Sequence, residues 1–199
     1  MNKWLKIGVI TAAVLGVLAL SCRMIGFNTI VDHDEEVLAA WGEVENQFQR
    51  RADLIPNLVA TVKGHADFEK KTLQAVVEAR SKVAGITVDA SMLDDPERFK
   101  QYEAAQNRLS GSLSRLLIVS ERYPELRAHS GFADLRSQLE GTENRLVVAR
   151  GRYVEAVKEY NKAVRKFPSS VGASLRGLSI RPSFQATAEN ADVPPTVEF

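Results

Sequence analysis

Between Phe132 and Phe167 the residues Phe132, Leu135, Leu139, Thr142, Leu146, Ala149, Tyr153, Ala156, Tyr160, Ala163 and Phe167 follow one another at alternating steps of three and four. A half-buried strand repeats every second residue, so this spacing excludes a sheet and specifies a helix with one continuous buried stripe. Sustained over about five heptads, it is the seam of a bundle or coiled-coil helix. One helix cannot bury such a seam alone, so the rest of the chain must supply the helices that cover it. Pro168 is the predicted stop, and Ser130 is the predicted N-cap.

A second stripe starts at Asp32. Val37, Trp41, Val44 and Phe48 are followed by Ile55, Val59 and Val62, and the pattern fades before Gly85. The reading is one helix of about fifty residues, roughly 75 Å long. Asp32 and Glu35, in the run "DHDEE", have the spacing of a capping box at its start, with cation binding by the same carboxylates as the alternative. Pro56 falls inside this helix, where its ring strikes the carbonyl of Ala52 and removes a hydrogen bond, at a cost of about 3 kcal/mol or more. The stripe keeps its phase on both sides, so the expectation is a bend and not a break. Arg51 and Asn57 are the donors expected to satisfy the carbonyls it frees.

A loop is predicted over residues 85–94. Asp95 then reads as an N-cap with Pro96 at the first helical position, opening a helix that carries Leu109, Leu113, Leu116 and Tyr123 and ends at Pro124. Beyond Pro168 a short apolar turn is expected over residues 171–178, then a mobile tail over 185–199.

The N-terminus has a different character. Lys3 and Lys6 precede an uncharged apolar run from Ile7 to Cys22, the layout of an export signal or an anchor. The run is shorter than the roughly 20 residues of a spanning helix and longer than a typical signal core of about 7–15. Cys22, the one cysteine of the chain, directly follows Leu18-Ala19-Leu20-Ser21, which resembles a bacterial lipobox. Three readings stay open: a lipoprotein with lipid on Cys22, an uncleaved single span, and an ordinary cleaved signal. In the first two the lysines stay cytoplasmic and the body of the chain is exported.

Lys plus Arg is 26 and Asp plus Glu is 25, a net charge of +1 that removes the electrostatic case for nucleic acid. A single cysteine excludes an intrachain disulfide, and three dispersed histidines give no local metal motif. Gly-rich phosphate loops, nucleophile elbows, HExxH and paired Glu-x-x-His motifs do not occur, so no cofactor, metal or catalytic residue is expected. Two polar runs stand out on the predicted long helices: Arg50, Arg51 and Asp53 with Asn57 and Lys63, and "EGTENR" with Glu140, Glu143, Asn144 and Arg145. Facing each other, they would allow Arg50 or Arg51 to pair bidentately with Glu140 or Glu143 and fix register. Solvated helix faces and a partner or ligand site are the other readings of the same residues.

The segments "WGEVENQFQRRADLIPNLVATVKGHADFEKKTLQAVVEAR", "LSRLLIVSERYPELRA", "FADLRSQLEGTENRLVVARGRYVEAVKEYNKAVRKFPSS" and "RPSF" together resemble the LemA family of bacterial membrane proteins. The resemblance runs from about Asn28 to Phe184. It implies an all-α chain whose long antiparallel helices form an up-and-down four-helix bundle with an N-terminal membrane anchor. The expected division is an anchor over 1–27, the bundle over 28–184 and a tail over 185–199. Family members often show a longer apolar anchor, whereas Leu20-Ser21-Cys22 is similar to a subgroup with a lipoprotein-type start. The family carries no established catalytic activity, and its association with membrane peptidases and envelope stress implies a protein partner. The expected function is thus an envelope scaffold or adaptor, held to membrane lipid through its N-terminus, bound to another envelope or membrane protein such as a peptidase, and independent of nucleic acid. The alternative is a small-ligand-binding protein or hydrolase with a polar site near Pro56.

Overall fold

The computed structural model describes residues 3–64 and 69–184, with the side chains of residues 5–6 and 18–28 outside that description. Within it the chain is all-α: α1 (Lys3–Lys63), α2 (Lys70–Ala84), a 3₁₀ turn (Ala90–Asp94), α3 (Pro96–Ser120), α4 (Pro124–Ala128), α5 (Ser130–Arg165) and α6 (Ser169–Arg176). The lipid-bearing role expected of Cys22 and the tail expected over 185–199 lie outside the described residues.

Packing pairs α1 with α5 and α2 with α3. Contacts at Glu43–Arg152, Gln47–Arg145 and Arg51–Glu143 step down α5 as they step up α1, so these two helices are antiparallel. Glu69, just before α2, lies 3.9 Å from Arg122, just after α3, which makes that pair antiparallel too. Trp41 packs on Phe99 and Phe48 on Tyr102, so α1 and α3 run the same way.

The single helix expected from Asp32 to Gly85 is two helices. α1 stops at Lys63, and α2 turns back along it. Lys63-Gly64, a basic residue in the last turn followed by glycine, is a stop signal that the continuing apolar period obscured. At the other end α1 runs unbroken from Lys3 through Asp32, so Asp32 and Glu35 cap nothing. Asp34 instead meets Arg181, and Glu36 meets His33 at 3.1 Å. α1 also passes through Pro56 without interruption. The Ala52 carbonyl receives Arg80 Nε of α2 at 3.3 Å, so the replacement donor comes from across the hairpin and not from Arg51 or Asn57.

Asp95 caps α3 through its Oδ1, which accepts from the backbone N–H of Glu97 and Arg98 at 3.1 Å each. Ser130 does not cap α5: it is the first helical residue, and His129 occupies the cap position, its side chain not serving as the cap. Pro124, expected only to end α3, opens the short α4. In the 85–94 loop Met92 and Leu93 are fully buried, so that turn is part of the core. The α5 seam is buried or partly buried from Phe132 to Ala163, but Phe167, its last expected position, is 78% exposed because the helix has already ended at Arg165.

Two apolar clusters fill the interior. One is aromatic, built on Trp41, Phe48, Phe99, Tyr102, Tyr153 and Tyr160. The other is aliphatic, built on Ile55, Leu58, Val62, Leu109, Leu116 and Leu139. Each fully buried large side chain contributes about 1.5–3 kcal/mol, far more in sum than the local cost of Pro56. The aromatic end is closed by a strap. After α6, Gly177 takes φ +66 and Leu178 N–H reaches back to the Ala173 carbonyl at 3.0 Å, turning the chain into an extended run that ends at Phe184. Phe184 stacks among Trp41, Phe99 and Tyr153 with centroid distances of 5.1–6.2 Å.

Candidate functional site

The boundary between the two clusters is polar. Arg51 on α1 follows Phe48 by three residues and precedes Ile55 by four, so it occupies a core position of the stripe and is 0% exposed. Its Nη1 donates to Ser110 Oγ of α3 at 2.5 Å and to Glu143 Oε1 of α5 at 2.7 Å. Its Nη2 donates to Gln106 Oε1 of α3, and Gln106 Nε2 in turn donates to the Tyr102 hydroxyl at 2.7 Å. The Glu143 side chain is 41% exposed, so this charge is neutralised from the rim of the bundle, not from a fully dry interior. One buried guanidinium thus ties α1, α3 and α5 together and fixes their register.

Arg51 Nε has no partner, and its guanidinium lies 5.2 Å from the Phe48 ring centroid. Arg150 of α5 lies 5.3 Å from the same ring and 4.8 Å from that of Phe184. Its Nε and Nη2 are buried without hydrogen bonds. Burial first, and the Arg51 charge second, lower the Arg150 pKa, while Glu103, Glu143 and Tyr102 oppose the shift. Burial likewise pushes the Tyr102 hydroxyl up, opposed by its bond from Gln106 and reinforced by the charge of Glu45.

The other polar residues expected to cluster do not join this layer. Arg50, Asn57, Lys63 and Asn144 are exposed. Asp53 accepts from Gln49 Nε2 at 2.7 Å, and Glu140 pairs with Arg136 at 2.9 Å. Arg145 reaches Gln47 at 3.2 Å and the buried Thr142 hydroxyl at 3.1 Å. Arg51 and Glu143 are therefore the pair the fold brings together, through one guanidinium nitrogen and not two, because the second is committed to Gln106.

Gln106, Ser110, Tyr102 and Arg150 were not singled out by sequence reasoning. The signal for Gln106 was present: it falls between Tyr102 and Leu109 at steps of four and three, a polar residue in phase with an apolar stripe. A second buried arginine was also missed. Arg181 of the strap lies 2.8 Å from Asp34 and 3.7 Å from Asp94, over the Tyr160 ring at 5.0 Å. Its backbone and that of Pro182 are fixed by α5: Asn161 exchanges hydrogen bonds with Arg181 at 2.8 and 3.0 Å, and the Tyr153 hydroxyl donates to the Pro182 carbonyl at 3.0 Å.

Beside the polar layer, on the opposite side from Glu143, α1, α2 and α3 enclose a groove of about 460 Å³ with Glu45, Gln49, Asp53, Arg80 and Tyr102 in its lining. Among the described residues no group of three or more His, Cys, Asp or Glu side chains converges as metal ligands would.

Long antiparallel helices around a register-fixing polar layer define an all-helical bundle protein. The LemA family model matches residues 40–199, and the chain belongs to the LemA family. It is similar to magnetosome protein MamQ 2 of Paramagnetospirillum magneticum, 26% identical over 193 residues that cover 87% of this chain and 70% of that protein. Magnetosome protein MamQ of Magnetospirillum gryphiswaldense is 24% identical, covering 83% and 67%. Protein LemA of Metamycoplasma hominis is 22% identical, covering 83% and 72%.

Proposed function

We propose that this chain is a membrane-anchored scaffold or adaptor of the bacterial cell envelope, an up-and-down four-helix bundle that acts by binding another protein and carries no catalytic activity. The observation that carries the reading is the continuity of α1. Its 61 residues, roughly 90 Å, join an apolar N-terminal stretch to the bundle core without a hinge. Trp4, Ile7, Val9, Ile10, Val14, Leu15 and Val17 are all more than half exposed on that stretch, among the described residues. Exposed apolar surface of this extent calls for a lipid or protein cover. Among the described residues no helix is long and apolar enough to cross a membrane, so the mode of attachment, lipid on Cys22 or a span, is the open choice within the proposal. Lys3 and Lys6 favour a cytoplasmic N-terminus and an exported, periplasmic-side bundle.

Mass spectrometry of the mature N-terminus separates the attachments: a diacylated Cys22 establishes the lipoprotein, and an intact Met1 the uncleaved form. Site-specific photocrosslinkers placed on the exposed faces of α2, α3 and α5 in cells test the association. A discrete crosslinked product from at least one face is expected, and crosslinks from none would overturn the scaffold reading.

A second reading, a small-ligand protein or hydrolase near Pro56, is favoured by the groove that includes Ala52 and Asp53. Its lining has no serine, threonine, cysteine or histidine, so the groove supports binding better than nucleophilic hydrolysis.

A further inference from the structure

The groove has a polarity of its own. α1 contributes Glu45, Gln49, Ala52 and Asp53 along one wall, a span of roughly 12 Å, which matches about four residues of extended chain. α2 runs antiparallel to it, so Arg80 lies at the Ala52 end and Val83, then Ile86 and Val88 of the following loop, lie towards Glu45. Tyr102 and Gln106 form part of the floor.

Three facts make the Glu45 end more than a crevice. First, its carboxylate is partly buried and has no ion pair among the described residues. Desolvation raises its pKa, and the Trp41 indole N–H is near enough to favour the charged form only in a geometry short of a formed hydrogen bond. Secondly, neither charged neighbour is committed to Glu45: Arg80 Nε donates to the Ala52 carbonyl, and Asp53 accepts from Gln49. Thirdly, the hydrogen-bond chain fixes the Tyr102 hydroxyl. Arg51 can only donate, so Gln106 must accept with its oxygen and donate with its nitrogen to Tyr102. The Tyr102 proton is then left to be donated elsewhere, beside an apolar wall and a carboxylate that lacks a cation.

We propose that this groove binds an extended basic segment of a protein partner, with one lysine or arginine side chain paired to Glu45, a peptide carbonyl receiving the Tyr102 hydroxyl, and flanking apolar side chains against Val83, Ile86 and Val88. The proposal rests on the scaffold reading and gives its partner a chemistry. A partly buried carboxylate without a counter-ion selects a cation, and the apolar wall beside it selects a peptide over a free inorganic ion. Exposed Arg80 at the far end disfavours a second cation there, so the basic side chain belongs at the Glu45 end.

The test uses the full chain in non-ionic detergent and two fluorescein-labelled acetylated pentapeptides, Val-Ala-Lys-Val-Ala and its counterpart with norleucine for lysine, followed by fluorescence anisotropy. The lysine peptide should bind about three- to fivefold more tightly than the norleucine peptide, and Glu45→Gln should remove most of that difference. Val147→Gln, on the exposed face of α5, should leave binding unchanged. Equal affinity for the two peptides, no binding of either, or wild-type discrimination by Glu45→Gln overturns the proposal. Because Glu45→Gln removes a desolvated charge, its melting temperature should not fall, so a loss of binding cannot be assigned to unfolding. Failure here with crosslinks still obtained from other faces would leave the scaffold reading standing and reject the groove alone.

Discussion

Arg80 of α2 donates its Nε–H to the carbonyl of Ala52, the acceptor that Pro56 deprives of its intrahelical partner, at 3.3 Å. A local defect in α1 is thereby repaired by the helix that packs beside it, and the repair pins the α1–α2 hairpin at a defined height. Pro56→Ala should restore the internal hydrogen bond and stabilise the protein by about 1–3 kcal/mol in chemical denaturation. Arg80→Gln in the natural sequence should cost about 0.5–1.5 kcal/mol, and much less in the Pro56→Ala background. A double-mutant cycle without coupling would show that the Arg80 bond is incidental.

Arg51 is among the largest fully buried side chains of the described residues, and removing it affects partners on two other helices. Arg51→Ala should cost about 3–4 kcal/mol, combining a cavity with Gln106 left unpaired in the core. Buried ion pairs are often replaceable by apolar groups of similar volume, so Arg51→Met combined with Gln106→Leu should return to within about 1.5 kcal/mol of the natural protein. Urea unfolding of the three proteins decides this. A double variant as unstable as Arg51→Ala would mean that the layer contributes more than the satisfaction of its own members.

The layer was half visible in the sequence. In α1 the apolar residues stop at Phe48 and resume at Ile55, and the missing member of that series is Arg51, in phase with the rest. Treated as one of a polar run with Arg50 and Asp53, it was open to a cross-bundle pairing, a solvated face or a ligand site; treated by phase, it is core. The α5 seam was legible because its stripe is continuous, and Asp95-Pro96 because cap and proline agree. The α1–α2 break was not, since the heptad phase carries across Gly64 and hydrophobic period alone cannot tell a long helix from a hairpin whose arms keep the same phase. Arg181 and the strap were beyond local pattern: nothing within "RPSF" shows that Asp34, Tyr153 and Asn161, distant in sequence, receive it.

Glu45 gives a pH dependence of defined sign. Its folded pKa is raised above the ordinary carboxylate value, so its contribution to stability is fully present below the unfolded pKa of about 4.3 and is lost as pH rises through the raised folded value. The groups that face it across the groove, Arg80 from α2, Asp53 from its own helix and Tyr102 from α3, supply no ion pair that reverses this sign. Melting temperatures of Glu45→Gln should therefore equal or exceed those of the natural protein near pH 7, with the difference vanishing near pH 4. A variant less stable at neutral pH would show that the carboxylate is paired in solution.

The strap fastens the aromatic half of the bundle and leaves the aliphatic half alone, a division that hydrogen exchange can read. Phe184 packs on Trp41, Phe99 and Tyr153, and Arg181 bridges Asp34 of α1 to Asp94 of the turn before α3. Phe184→Ala removes ring contacts with all three helices and opens the space over Trp41, a loss of about 2–3 kcal/mol for a partly buried phenyl group. Tyr153→Phe removes only the bond to the Pro182 carbonyl, a loss of about 1 kcal/mol. Both should speed amide exchange in residues 34–48 and 153–163, Phe184→Ala more strongly, while protection around Leu58, Leu109 and Leu116 changes little. The separation is expected because the Arg51 layer divides the two clusters, so the strap's loss is felt first on its own side. Uniform loss of protection along the whole bundle would show instead that the two halves open as one cooperative unit.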